Sequence, residues 1–137
     1  MEQNRSAPLI LLVDDEESIR TMLRVTLQRH GYQVVEASNG SEAIALFQEH
    51  ESTLALVLSD VIMPEMDGVE LARRLAERRP SLPILFISGS CETIPKELGH
   101  HGCIRKPFAP DGIVEQIAKI LTAETTGLSG ASARVDN

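Results

Sequence analysis

Five side chains suited to metal or phosphoryl chemistry lie at or just after the ends of short apolar runs. Asp14 and Asp15 follow the first run, Asp60 the third, Ser88 the fourth and Lys106 the last. Three carboxylates held together repel one another, and a hard divalent cation keeps them charged near neutral pH. With a cation, an ammonium and a hydroxyl beside it, an aspartate can become an acyl phosphate. The predicted cofactor is Mg²⁺, which accepts a few carboxylates while keeping waters and phosphoryl oxygens, and Mn²⁺ could replace it.

Each of these residues also has an ordinary structural role open to it. Carboxylates stabilise a helix N-terminus by about 0.3–1 kcal/mol each, so Asp14 and Asp15 could serve as caps. Asp60 could be a turn residue, Ser88 a turn or cap, and Lys106 a solvated surface charge. It is their joint placement at the ends of apolar runs that favours the chemical interpretation.

The elements that must position these residues alternate regularly along the chain. Continuous apolar runs at 9–13, 33–37, 54–59, 83–87 and 103–104 predict five strands. Helical spacing of apolar residues at 17–30, 42–50, 69–79 and 111–121 predicts helices. This alternation predicts an α/β fold with a five-stranded parallel sheet and helices on both faces. In such sheets, ligands bind beyond the carboxyl ends of the strands.

The segment 91–102 departs from this regularity. Pro95 and Gly99 interrupt it, and few of its apolar residues share a face. The helix between the fourth and fifth strands is therefore predicted to be short or irregular.

Length and composition predict one domain of 137 residues. We expect an N-terminal extension at 1–7, the folded domain at 8–121, and a disordered C-terminal tail at 122–137, which is rich in Thr, Ser, Ala and Gly. A net charge of −7 argues against direct binding to nucleic acid. No apolar run approaches the roughly 18 residues of a membrane span, so we expect a cytoplasmic location with no membrane partner.

The two cysteines, Cys91 and Cys103, lack metal-ligand spacing. They could be joined only if the fold brought their Cα atoms within about 7 Å. Two reduced thiols are the favoured interpretation for a cytoplasmic chain.

Four segments resemble the signature segments of response-regulator receiver domains. They are Leu-Leu-Val-Asp-Asp-Glu at 11–16, Leu-Ser-Asp-Val-Ile-Met-Pro-Glu-Met-Asp-Gly at 58–68, Ile-Ser-Gly at 87–89 and Lys-Pro-Phe at 106–108. The resemblance covers about residues 8–121. It implies a flavodoxin-like fold with the strand order 2-1-3-4-5 and a role in a two-component system or phosphorelay.

The resemblance also implies a role for each matching residue. Asp60 would be the phosphoacceptor, with Asp14, Asp15 and the backbone carbonyl of Ile62 completing the metal ligands. Ser88 and Lys106 would assist phosphoryl transfer. The switch and output residues would be Ser88, Gly89, Cys103 and Pro107, with a cis bond before Pro107.

The implied function is that of a signalling switch rather than of an enzyme with a separate substrate. A histidine kinase or a histidine phosphotransfer protein would phosphorylate Asp60 with Mg²⁺ bound. Because the sequence shows no effector domain, we expect the output to pass to a downstream protein target, with the chain a monomer or weak dimer. The short Ser-Gly segment resembles receivers attached to hybrid histidine kinases.

Two features depart from the family pattern. The family usually carries Tyr or Phe three residues before the lysine, where this chain has Cys103. The interval from Ser88 to Lys106, 18 residues, is also shorter than the common pattern. We therefore hypothesise that signalling on this face works by reordering of a loop rather than by rotation of an aromatic ring.

Other functions found on parallel sheets compete with the receiver interpretation. A phosphatase of the haloacid-dehalogenase type needs a second aspartate two residues after the nucleophile, and Ile62 stands there. A flavodoxin-like flavin binder needs a phosphate loop and aromatic residues that are absent here. A receiver-like interaction module that has lost phosphorylation stays open as the second hypothesis. The arginines at 73, 74, 78 and 79 could form a docking patch, although a solvated helix face is the more ordinary interpretation.

Overall fold

Five parallel strands form the centre of the molecule, and a computed structural model describes residues 7–98 and 101–126. The strands are β1 Leu9–Val13, β2 Gln33–Ala37, β3 Leu54–Asp60, β4 Ile84–Ser88 and β5 Cys103–Arg105. They lie in the order β2-β1-β3-β4-β5, and every neighbouring pair is parallel. The predicted fold class, α/β with a flavodoxin-like strand order, is confirmed.

Four helices cover the two faces of this sheet. They are α1 Glu17–Arg29, α2 Gly40–Glu49, α3 Gly68–Arg78 and α4 Pro110–Thr126. Successive side chains of a strand point to opposite faces, so Leu11 and Val13 of β1 pack in one core cluster and Ile10 and Leu12 in the other. The first cluster contains residues of α2 and α3, and the second contains residues of α1 and α4. Continuous apolar strands are therefore needed because both faces are buried.

Two helices begin at side-chain caps that also end the preceding loops. The Asn39 side chain accepts a hydrogen bond from the Glu42 N–H at 2.8 Å, and the Asp67 side chain accepts one from the Glu70 N–H at 2.9 Å. Each cap satisfies one of the backbone donors that a helix N-terminus leaves unpaired. The Asp67 cap fixes the end of the loop that follows Asp60, and so it belongs to the frame of the site.

The segment between β4 and β5 holds only one turn of 3-10 helix, Cys91–Thr93, in its described residues 89–98 and 101–102. The expectation of a short or irregular helix here is confirmed for that part of the chain. Ile94 is buried and Leu98 packs against the same core cluster, so the segment keeps an apolar anchor without forming an α-helix.

The last helix continues to Thr126, five residues beyond the expected end of the domain. The predicted tail at 122–137 is therefore wrong for 122–126, and its remainder lies outside the described residues, as do residues 1–6 of the predicted extension. Within 7–98 and 101–126, no helix is both long enough and apolar enough to cross a membrane.

Three of the four arginines near α3 are engaged within the chain. Arg74 pairs with Glu70 and Arg78 with Glu51, while the Arg79 guanidinium donates to the Glu51 and Leu54 carbonyls at 2.8 and 2.7 Å. These contacts fit the interpretation of an ordinary helix face.

Candidate functional site

The carboxyl ends of β1 and β3 bring three carboxylates together. The side chains of Asp14, Asp15 and Asp60 each offer an oxygen, and these atoms all lie within 4.8 Å of one another. Asp14 and Asp60 are buried, whereas Asp15 is exposed. The strand-end rule therefore predicted the cluster correctly, and one side of it opens to solvent.

Two oxygens of this cluster are buried and have no hydrogen-bond partner in the described part of the chain. They are Oδ2 of Asp14 and Oδ1 of Asp60. The other oxygen of each carboxylate has a polar contact. Oδ1 of Asp14 accepts a hydrogen bond from the Glu16 N–H at 2.9 Å, and Oδ2 of Asp60 lies 3.2 Å from Nζ of Lys106. Buried polar atoms without partners are uncommon and call for an explanation. A divalent cation held by these carboxylates would supply one.

The electrostatic setting of Asp14 supports the same conclusion. The pKa of the Asp14 carboxyl is raised from its ordinary 3.8 to about 6, chiefly by desolvation on burial and also by the nearby charge of Asp60. The Glu16 backbone N–H and the Lys106 ammonium act in the opposite direction but do not cancel the effect. A cation between the carboxylates would favour the charged form of Asp14. The residues present therefore fit a hard divalent metal ion.

Ser88 ends β4, and Lys106, whose ammonium contacts Asp60, directly follows β5. The Lys106 backbone N–H donates to the Ser88 carbonyl at 2.9 Å, and the Ser88 hydroxyl is buried and accepts from the Ser90 N–H at 2.9 Å. Gly89 is exposed beside them. The Lys106-Pro107 peptide bond is cis, as the resemblance implied.

The backbone of Val61, the residue before Ile62, ties the loop after Asp60 to β4 and to the start of α3. The Val61 N–H donates to the Ile87 carbonyl at 3.1 Å, and the Gly68 N–H donates to the Val61 carbonyl at 2.7 Å. The Ile62 side chain is 75% exposed and points away from the core. Its backbone carbonyl stays a predicted metal ligand.

The sequence matches the family model of the response regulator receiver domain over residues 10–118. The chain belongs to the response regulator receiver domain family. A curated relative, the alkaline phosphatase synthesis transcriptional regulatory protein PhoP of Bacillus subtilis, is 37% identical over 116 residues, which cover 82% of this chain and 48% of that protein. The chain thus spans about half the length of the curated relatives it matches.

Solved structures agree with this assignment. The receiver domain of the hybrid histidine kinase CckA is 32% identical, with a TM-score of 0.72, and the match covers 82% of this chain and 98% of that one. A response regulator receiver domain protein from Clostridium thermocellum has a TM-score of 0.82 at 22% identity, over 88% of this chain and 99% of that one, and it shows the fold alone. The two-component signalling family of the chain is therefore established.

Two further residues of this receiver domain support the site and were not identified from the sequence. A Cβ on Gly68 would collide with the backbone carbonyl of Asp60, so only glycine allows α3 to begin this close to β3. The signal was present in the Asp-Gly pair at 67–68. The Arg20 guanidinium donates to the Asp14 carbonyl at 2.8 Å and also bonds Glu36. Nothing in the sequence distinguishes Arg20 from other helix arginines.

The expectation of two reduced thiols in the receiver domain is wrong. Cys91 and Cys103 are joined by a disulfide, with their Cα atoms 5.9 Å apart. Pairing of β4 with β5 sets Cys103 beside Phe86, and the 3-10 turn then returns Cys91 to the same edge. The residue at the family's aromatic switch position is thus a covalent cross-link to the loop after Ser88.

Proposed function

We propose that this receiver domain accepts a phosphoryl group on Asp60 in a Mg²⁺-dependent reaction. The observation that carries the proposal is the state of the Asp60 carboxylate. One oxygen lies 3.2 Å from the Lys106 ammonium, and the other is buried without a hydrogen-bond partner among the described residues. A carboxylate held in this way keeps one oxygen available and has a fixed positive charge beside it.

The metal ligands would be the carboxylates of Asp14, Asp15 and Asp60 and the carbonyl of Ile62. Bound there, Mg²⁺ would neutralise charge on the carboxylates and on the phosphoryl oxygens. Mn²⁺, which also takes oxygen ligands in octahedral geometry, would substitute for it.

The phosphoryl donor we propose is a phosphohistidine on a histidine kinase or a histidine phosphotransfer protein. An Asp60 oxygen attacks phosphorus, the P–N bond to the imidazole breaks, and the imidazole leaves with the bonding electron pair. Lys106 stabilises the charge on the transferring group, and the Ser88 hydroxyl donates a hydrogen bond to a phosphoryl oxygen after transfer. The chain therefore promotes only its own phosphorylation and slow dephosphorylation.

The signal, in this proposal, is a change in the loops that flank Asp60. A phosphoryl group adds a charge of about −1.5 to −2 and three acceptor oxygens, which attract Ser88 and Lys106 and favour one arrangement of the loop at 89–98. We propose that a downstream protein target in the cytoplasm recognises the altered face. We propose further that residues 8–121 form the receiver domain, with its last helix continuing to Thr126.

The test is the intact mass of the chain after incubation with acetyl phosphate. Wild type should gain one phosphoryl mass with Mg²⁺ and none with EDTA, and Asp60→Asn should gain none in either condition. Glu51→Gln is a matched control, because this residue is remote from the cluster and should leave the gain unchanged. If the folded wild type gains no mass at early or late times, the phosphoacceptor proposal is wrong. That result would favour a receiver-like interaction module.

A further inference from the structure

The disulfide links two segments that lead directly to residues of the proposed phosphoryl site. Cys91 stands three residues after Ser88, and Cys103 stands three residues before Lys106. The cross-link closes a loop with a sequence separation of 12 and fixes the 3-10 turn Cys91–Thr93 to β5. The cross-link therefore lies between the residues that it encloses and the two segments that lead to Ser88 and Lys106.

Two weak polar contacts also join the described start of this loop, residues 89–93, to β5. Arg105 pairs with Glu92 at 3.0 Å, but the two side chains are 56% and 70% exposed, and such exposed pairs contribute little. The Arg105 guanidinium also reaches the Gly89 carbonyl at 3.5 Å, the limit of a hydrogen bond. The buried side chain of Ile94 anchors the far side of the turn to the core cluster. The covalent bond is thus the strongest link between the near side of the loop and the strand.

The bond also bears on the orientation of the Ser88 hydroxyl. The hydroxyl accepts from the Ser90 N–H at 2.9 Å, and Ser90 is the residue directly before Cys91. Fixing Cys91 fixes the Ser90 amide, and the amide in turn holds the hydroxyl. At the other end, the Ser88 carbonyl accepts from the Lys106 N–H. Ser88 is therefore restrained on both sides while the disulfide is intact.

We propose that Cys91 and Cys103 form a reversible redox site whose oxidised state locks the Ser90–Ser88 hydrogen bond and whose reduced state releases it. The consequence for signalling rests on the proposed function: the reduced loop reorders around a phosphorylated Asp60, and the oxidised loop resists this change. In a cytoplasm that keeps thiols reduced, disulfides are usually transient, catalytic or redox-sensing. A disulfide beside the proposed switch residues fits the redox-sensing class.

The partner chemistry is that of a dithiol, either small or carried by a protein of the thioredoxin class. Its thiolate attacks the sulfur of Cys91, the S–S bond breaks, and Cys103 leaves as a thiolate. The second thiol of the reductant then attacks the mixed disulfide and releases Cys91. Two electrons and two protons pass to the pair, and the reductant leaves as a disulfide. Oxidation reverses these steps with a disulfide of the same class.

The surroundings of the bond suit this exchange. Both cysteines are partly exposed, and Ser90 and Glu92 on either side of Cys91 are exposed, so a thiolate can approach. Cys103 and Arg105 lie two residues apart on β5 and share a face of the sheet. A guanidinium near a departing thiolate stabilises it. Cys91 is accordingly the sulfur we expect to be attacked first.

The test follows the thiols and the Ser90 amide separately. Wild type is equilibrated in buffers with a series of ratios of reduced to oxidised dithiothreitol, the thiols are trapped with iodoacetamide, and the intact mass is measured. As the buffer becomes more reducing, the folded chain should change from no alkylated cysteine to two alkylated cysteines. Hydrogen exchange of the Ser90 amide should be about fivefold faster or more in the reduced state. In the Cys91→Ser/Cys103→Ser variant, the Ser90 amide should exchange as fast as in reduced wild type at every ratio. Reduced wild type alone gives the comparison if that variant does not fold.

Each contrary result overturns the redox proposal. A folded chain that keeps two free thiols in the most oxidising buffer has no redox site. A bond that opens only on unfolding is a structural cross-link. If the Ser90 amide exchanges at the same rate in both states, the disulfide does not control the Ser90–Ser88 hydrogen bond. If the thiols titrate and the amide responds but acetyl phosphate adds no phosphoryl mass in either state, the redox site stands and the phosphoacceptor proposal is the one that fails.

Discussion

Replacing Asp14 with asparagine removes a negative charge from the most buried part of the carboxylate cluster. The raised pKa of Asp14, about 6 against an ordinary 3.8, arises mainly from desolvation. At about 1.4 kcal/mol for each pKa unit, ionisation of Asp14 lowers the free energy of unfolding of the metal-free domain by about 3 kcal/mol at neutral pH. The asparagine would not gain the whole of these roughly 3 kcal/mol. Its N–H takes the place of an oxygen without a hydrogen-bond partner among the described residues, and an unpaired buried N–H costs about 1–3 kcal/mol.

We therefore expect Asp14→Asn to raise the free energy of unfolding by up to about 2 kcal/mol at about pH 7.5 in EDTA. The effect has a defined pH dependence. Because the folded-state pKa is higher than the unfolded one, the folded wild type binds more protons between about pH 4 and 6, and its stability from this group rises as the pH falls through that window. The charge penalty should be about half as large at about pH 5, and the advantage of the variant should shrink accordingly.

Urea unfolding of wild type and variant at both pH values gives the comparison directly. Asp15→Asn is the matched control, since this exposed carboxylate should change the metal-free stability by less than about 0.5 kcal/mol. Added Mg²⁺ should stabilise wild type more than either variant. A variant less stable than wild type in EDTA at about pH 7.5, or a gain that does not change with pH, would refute the reasoning about a desolvated charge.

Three further predictions concern the frame of the site. Gly68→Ala should lower the free energy of unfolding by about 1–3 kcal/mol because its Cβ meets the Asp60 backbone, whereas Gly112→Ala, with open space around it in α4, should raise it by about 0.5–1 kcal/mol; similar urea curves for the two variants would contradict this. Lys106→Met should keep the circular dichroism spectrum but slow phosphorylation by acetyl phosphate roughly 100-fold, and an unchanged rate would remove the lysine from the chemistry. Reducing the disulfide should lower the free energy of unfolding by about 3 kcal/mol, while a loss below about 1 kcal/mol would mean that other contacts hold the loop.

The strands and the cluster at their ends followed from the sequence because buried parallel strands leave little ambiguity. The observed limits of β1 and β2 coincide with those predicted from the apolar runs. A carboxylate directly after such a run must lie at the carboxyl edge of the sheet, which is why the positions of Asp14 and Asp60 were predictable. Their proximity required only the right-handed connections that such sheets adopt.

Helix starts were predicted less accurately, because the apolar pattern and the hydrogen-bonded helix begin at different residues. The predicted starts at 42 and 69 became Gly40 and Gly68 in the structure. Caps at Asn39 and Asp67 start the helices one or two residues earlier, before any side chain reaches the core. The exact start matters at α3, where it accounts for the need for glycine at position 68.

The disulfide could not be predicted, since a separation of 12 residues does not fix the distance between two Cα atoms. That distance depends on the register of β5 against β4 and on the single turn that replaces a longer helix. The expectation of thiols came from the rarity of disulfides in cytoplasmic proteins, and that rarity says nothing about the local geometry of one pair of cysteines. Likewise, the contact of Arg20 with the Asp14 carbonyl depends on the tertiary position of α1 rather than on any motif.

The exposure of Asp15, beside two buried partners, has a kinetic consequence for any bound ion. Solvent reaches the cluster from that side, so an ion can enter and leave without opening the sheet. Occupancy would then follow the free concentration of the ion by mass action, and chelation would empty the site while leaving the fold intact. In this respect the metal resembles a co-substrate that arrives with each phosphoryl donor, and fluctuations in its supply would be registered directly in the rate of signalling.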